Sequence, residues 1–334
     1  MTDDEIKIQK QISDFFRQAE RNSKQPCCAI CGEGCSSYAK SHSIPQFIMK
    51  NIAVNSKFKT FSDIVGRHSS KNAVANAWTF HIICTKCENK YFSDYENEET
   101  LLKEPKNLIM AEIALKNVLL MLSKYRVGSE TNKEAIKIGA FTGETDVLDI
   151  MNTLDIENMC FEVRRSRKII DKKLKSGYKL IYYKKLDWVT PIAFQSAMCL
   201  YRSIDGTIIN QIYSESKDIR MQQLHICVFS LKEQTVIMVF VHKDDRNYIL
   251  FERQFLKLDE TKKLEYINYL IFKYTEHMLI SPSIDSLILN TDKLVDLCHE
   301  TNANLFGWGQ NVLPSEIPNF LSKDFVVHPK NNDA

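Results

Sequence analysis

The sequence predicts an α+β chain, and three observations carry that expectation. Two C-x-x-C pairs lie in an irregular N-terminal stretch, long apolar helical runs occupy the middle, and a block of β-rich segments is followed by amphipathic helices. At 334 residues and 44% hydrophobic side chains, the chain has the apolar material for more than one core.

Each element has its own signal. Residues 1–25 read as an amphipathic helix, with Ile6, Ile8, Ile12, Phe15 and Phe16 loosely on one face and Gln25-Pro26 as its stop. Residues 26–105 are irregular, hold both cysteine clusters, and have the look of a small domain that a metal holds together in place of a large core. Residues 106–176 form a helical connector. Its first helix (107–125) is apolar almost all round, with Glu112 and Lys116 spaced as an i,i+4 pair, and its second runs from Thr145 to Lys175 and stops at Ser176-Gly177. Residues 177–322 make an α+β domain. The segments KLIYYKKL, AFQSAMCLYRSI, TIINQIYS, LHICVFSL, TVIMVFVHK and YILFERQFLKL predict a mostly antiparallel sheet. Leu264, Ile267, Ile271, Tyr274 and Met278 mark a helix laid over that sheet, and Ser281-Pro282 opens another. Residues 323–334 read as a flexible tail.

Charge gives no strong direction, because 44 basic residues against 42 acidic ones leave a net +2. No stretch approaches the roughly 18 consecutive apolar residues of a membrane span. The beginning, MTDDEIKIQKQ, is polar and acidic, unlike a secretion signal. The expectation is a soluble, cytoplasmic protein with no membrane partner.

In such a chain, cysteines two residues apart read as metal ligands rather than disulfides. Cys28, Cys31, Cys84 and Cys87 supply two thiolate pairs of the kind tetrahedral zinc prefers, in a closed site that holds a fold and does no chemistry. Cys27 and Cys35 are alternatives to Cys28, and a thiol switch built on Cys27, Cys28 and Cys35 is a further reading. Cys160, Cys199, Cys227 and Cys298 read as small buried apolar groups.

Lys40-Ser41-His42-Ser43-Ile44-Pro45 follows the first pair, and Glu88-Asn89-Lys90 follows the second at once. Over roughly residues 26–98 this plan resembles zinc-stapled HNH (His-Me finger) endonucleases. The phrases SHSIPQF and CTKCENKYFSDYE are similar to those of bacterial HNH-like proteins, some found among phage-defence genes. The resemblance implies a treble-clef-like ββα-metal domain that hydrolyses phosphodiester bonds in DNA or RNA. His42 takes the position of the general base, and Glu88 that of a ligand to a catalytic Mg²⁺ or Mn²⁺. Two positions depart from the pattern. Ser41 stands where the family has an acid, and the middle asparagine is missing, leaving Asn76 or His81 to cover it, with Asp94 and Glu96 near enough along the helix to complete a coordination shell. An alternative reading is a catalytically inactive zinc module that binds nucleic acid or a protein partner.

The run Arg164, Arg165, Arg167, Lys168, Lys172, Lys173 and Lys175 reads either as a phosphate-binding face or as the solvated side of a helix whose apolar side is Val163, Ile169, Ile170 and Leu174. The partners expected are therefore DNA or RNA, together with a second copy of the chain or a protein encoded in the same operon.

Overall fold

The computed structural model describes residues 3–66, 73–75, 77–139, 145–211, 216, 218–303 and 312–328. The chain starts in α1 (Asp3–Asn22), whose last residue donates to Glu134 across 3.3 Å. The segment with the candidate metal-site cysteines follows: β1 (Ser41–His42), α2 (Gln46–Ile52), β2 (Lys59–Thr60), α3 (Phe61–Ile64), β3 (Thr79–Phe80), α4 (Thr85–Phe92) and α5 (Glu98–Leu101). Two long helices come next, α6 (Asn107–Lys137) and α7 (Thr145–Asp171), packed against each other. The sheet strands β4 (Tyr178–Leu186), β5 (Ile192–Met198), β6 (Leu224–Ser230) and β7 (Thr235–His242) lead to α8 (Tyr248–Leu256) and α9 (Glu260–Tyr274). The remaining elements are β8 (Leu279–Ile280), α10 (Ser286–Leu289) and α11 (Asp292–Ala303), with short 3-10 turns at Pro314–Glu316 and Lys323–Phe325.

Strand order in the large sheet is β2-β8-β5-β6-β7-β4, every pairing antiparallel. Strand side chains alternate between two faces, and here each face is covered. Cys227, Phe229, Val236, Met238 and Phe240 point into a core shared with α2, α4 and α6. Ile226, Val228, Ile237 and Val239 point into a second core with Phe251 and Phe255 of α8 and Ile267, Leu270 and Ile271 of α9. That double burial is why β5, β6 and β7 have no exposed position and why TVIMVFVH is a continuous apolar run. The first core also takes in Cys28, Ile44, Ile48 and Cys87, and β2 joins the sheet edge, so the metal-site segment and the sheet share one interior.

Several sequence expectations are corrected. YILFERQFLKL is helix α8 rather than a strand: Tyr248, Phe251 and Phe255 recur at helical spacing and bury one face, and aromatic content alone had suggested β. Within TIINQIYS, the described residues 207–211 form no strand. Asn210 instead donates to the carbonyls of Leu200 and Gln222 and pins a loop. Ser281-Pro282 makes a turn, and the next helix is capped by Asp285, whose carboxylate accepts from the Leu287 amide. α7 stops at Asp171, six residues before Gly177. Lys173, at φ 47°, takes the left-handed position that glycine usually fills, and Leu174 donates back to the Ile169 carbonyl. In the expected tail Val327 is buried with its amide on the Val189 carbonyl, while Lys323, Asp324, Val326 and His328 are exposed. In α1, Ile12 and Phe16 are exposed, and the side chains of Ile6 and Ile8 lie outside the described residues.

A four-membered ion network fixes α7 to the sheet. Arg165 grips Asp245 with its two terminal guanidinium nitrogens at 2.7 and 3.0 Å and also meets Glu162, while Arg220 donates to Glu162 at 2.6 Å and Asp245 at 2.8 Å. Both acids are fully buried, so each arginine neutralises charge that water cannot reach. Arg165→Ala should cost about 3–5 kcal/mol, because it leaves two buried carboxylates sharing the one cation of Arg220. Urea denaturation checks this, and a loss under about 1 kcal/mol would show the network to be dispensable.

Candidate functional site

Three backbone features bring the cysteines together. The turn Cys28 to Gly32 closes through Gly32 N to Cys28 O at 2.9 Å, with Gly32 at φ 77°, a conformation that suits a residue without a Cβ. Ala29 N donates to the Ile82 carbonyl at 2.9 Å and Ala39 N to that of Ile83 at 2.8 Å, tying this turn to the approach to α4. Cys84 is the N-cap residue of α4, and its amide donates to the Cys28 sulfur at 3.3 Å. The result is that the sulfurs of Cys28, Cys31, Cys84 and Cys87 all lie within 4.8 Å of one another, close enough to hold one metal ion. Burial opposes ionisation of Cys28, but amide donors from Cys31, Cys84 and Ile30 outweigh it and bring the thiol down to about 7. Burial and the neighbouring thiols push Cys87 up. Cys27 instead bridges Gly34 in a small antiparallel contact, and Cys35 donates to the Ser37 carbonyl, so neither belongs to the cluster.

Beside the cluster, β1 and β3 pair antiparallel, Ser41 opposite Phe80 and His42 opposite Thr79, and α4 follows. This order and pairing bring positions 41 and 88 together: the buried Ser41 hydroxyl donates to Glu88 Oε1 at 3.0 Å. The same oxygen accepts from Lys116 of α6 at 2.8 Å, and Lys116 also donates to Glu96 at 2.6 Å. The Lys116 side chain is fully buried, with its ammonium 4.1 Å from the centre of the Phe92 ring. The expected Glu112–Lys116 pair is not made. Lys116 reaches across to α4 and the loop after it, and Glu112 accepts from the Tyr95 amide at 3.1 Å.

His42 is half-buried, with the Ala75 carbonyl 3.3 Å and the Gln46 amide nitrogen 3.2 Å from Nε2. Burial first, and Lys40 and Lys116 further, hold the imidazole below its usual range, so it is neutral at pH 7. The four cysteines are the only group of three or more His, Cys, Asp or Glu side chains, among the described residues, placed to hold an ion. His81 and Asp94 are exposed, while His68 and Asn76 lie outside the described residues. Of the basic run, Arg164 and Lys168 are exposed. Arg165 is committed to the buried network, and Arg167 to Asp171 and the Ile30 carbonyl. Lys116 was not among the expected site residues. Its signal was there all the same: a Glu, a Lys and an Asn interrupt an otherwise apolar helix at Glu112, Lys116 and Asn117.

No family model matches this chain, and neither does any curated protein or solved structure.

The buried carboxyl of Glu112 sets a pH dependence. Burial, then Asp94 and Glu96, raise it from 4.5 to about 8. An acid whose folded value lies above its unfolded one favours the folded state at low pH and loses that contribution as pH climbs toward the folded value. Glu112→Gln should therefore flatten the fall in urea midpoint between about pH 6 and 8. An unchanged slope in the variant would assign that dependence to other groups.

Proposed function

We propose that this chain is a zinc-stapled module of HNH-like layout that binds nucleic acid without cutting it. The observation that carries the reading is Lys116, whose buried ammonium sits on Glu88 and Glu96 where such a layout would need a divalent cation. An ammonium and Mg²⁺ sharing one carboxylate oxygen would repel each other, and Ser41 brings no negative charge to offset that. His42 keeps the position of a base, but its Nε2 has Ala75 and Gln46 for neighbours, and no carboxylate is among its hydrogen-bond partners in the described residues. The cysteine cluster suits zinc. A tetrahedron with metal–sulfur bonds of about 2.3 Å has edges of about 3.8 Å, which sulfurs no more than 4.8 Å apart can accommodate. Such a site is closed and acts by holding β1, β3 and α4 in place.

A metal-dependent endonuclease is the second reading, and a specific observation favours it. The side chains at positions 41 and 88 converge as metal-ligand positions do in that layout, and Glu88 Oε2 is buried without a partner among the described residues. In that reading His42 activates water, and Glu88 holds Mg²⁺ or Mn²⁺.

Incubation of plasmid DNA and of RNA with the full chain and Mg²⁺ or Mn²⁺ separates the two. We expect no cleavage above that of His42→Ala. Cleavage by the wild type that this variant loses, with folding and metal content kept, would overturn the proposal in favour of the nuclease. A separate expectation is about one zinc per chain by elemental analysis, lost together with folded structure in Cys84→Ser/Cys87→Ser. A folded chain purified without zinc would remove the framework from both readings.

A further inference from the structure

The end of α7 is surrounded by parts of the metal-site segment. Arg167 donates to the Ile30 carbonyl inside the cysteine turn. Asp171 accepts from Lys90 of α4 at 2.7 Å, from the Tyr91 hydroxyl at 2.8 Å and from Arg167 at 3.0 Å. Asn107, the first residue of α6, donates to the Leu174 carbonyl at 2.6 Å. Sequence-distant segments therefore bring cations together: Lys90 of α4 meets the end of α7 through Asp171, Lys86 lies one turn before it on α4, and Lys168, Lys172, Lys173 and Lys175 come from α7 and the turn after it, all exposed.

The charge balance of the α7 part of this surface is one-sided. Asp171 is the only acid between residues 163 and 178, and Lys90 and Arg167 already neutralise it. Lys86, Lys168, Lys172, Lys173 and Lys175 make no ion pair among the described residues. Clustered lysines repel one another, and what makes them tolerable in the free protein is the negative end of the α7 dipole beneath them. The turn is also held in an unfavourable form. Lys173 keeps a left-handed backbone that costs a lysine more than a glycine, while its charge adds to the strip.

We propose that this composite surface, beside the metal knuckle and across the end of α7, is the docking face for the phosphate backbone of duplex DNA. The inference rests on the nucleic-acid-binding reading above and names its surface and its partner. A duplex presents about one negative charge per 1.7 Å of axis, so a strip of flexible point charges meets phosphates in any register and reads no sequence. A lipid surface would demand apolar side chains among the cations, and among the described residues Leu174, at 37% exposure, is the exposed large one next to the α7 lysines, with Phe161 two turns before Lys168.

The test uses the full zinc-loaded chain and a fluorescein-labelled short DNA duplex of mixed sequence, followed by anisotropy over a salt series. Lys168→Gln/Lys172→Gln/Lys175→Gln should weaken binding by about ten-fold or more and lower the slope of log affinity against log salt by about three. The control Lys257→Gln/Lys262→Gln, at the end of α8 and in α9 on the opposite face of the sheet, should leave both unchanged. Zinc content and thermal melting, equal in all three proteins, exclude unfolding as the cause. Duplex binding that the triple variant leaves intact, or that the control weakens equally, would overturn the surface while leaving the nucleic-acid reading standing. A wild type that binds no duplex, or binds phosphatidylserine vesicles in its place, would overturn the duplex docking face.

Discussion

A buried ammonium is costly unless anions meet it, and Lys116 is fully buried in the middle of α6. Glu88 and Glu96 answer that charge, and they come from α4 and the loop after it, so the cation joins the longest helix to the element that carries Cys87 and begins at Cys84. Through Glu88 the link continues to Ser41 and hence to the short β1–β3 pair. Moving α6 away from α4 and the loop after it would leave the buried ammonium without its partners. The chemistry open to the site follows from the same constraint, since one oxygen of the best-placed carboxylate is already engaged by an internal cation.

The cysteine cluster and the sheet support each other across this link. β1 and β3 contribute only two residues each, too little pairing to stand alone in water. They are held by the Cys28 turn on one side and by the first core on the other. That core includes cysteines of the cluster together with strand residues such as Phe229 and Met238. The metal-site segment is therefore built into the protein, with β2 as an edge strand of the large sheet. The Glu162–Arg165–Asp245–Arg220 network plays a matching part on α7 and anchors it so that its terminal turn lies against the knuckle.

Much of this was legible in the residues. The matched C-x-x-C pairs announced the cluster because two thiol pairs at that spacing match the ligand set of a tetrahedral ion. The apolar runs of β5, β6 and β7 and the three- and four-residue spacing in α9 announced sheet and helix because burial imposes those periods. The miss at α8 has a plain cause: aromatic residues such as Tyr248, Phe251 and Phe255 serve a strand or a helix equally well, and only their spacing against a core tells which. The end of α7 was misplaced because a lysine, Lys173, takes the left-handed position for which Gly177 was the better chemical candidate.

The sequence alone determined which groups were available: four thiolates in two turns, a histidine ahead of a proline, a run of cations, and the apolar patterns of an α+β chain. Tertiary structure decided what each group faces. It excluded Cys27 and Cys35 from the cluster, turned Lys116 away from Glu112 toward Glu88 and Glu96, and drew Arg165 inside while leaving Lys168 outside. The reason is physical: local spacing fixes which side of an element a residue occupies, while the partner that neutralises a charge comes from whichever distant segment packing brings within about 3 Å.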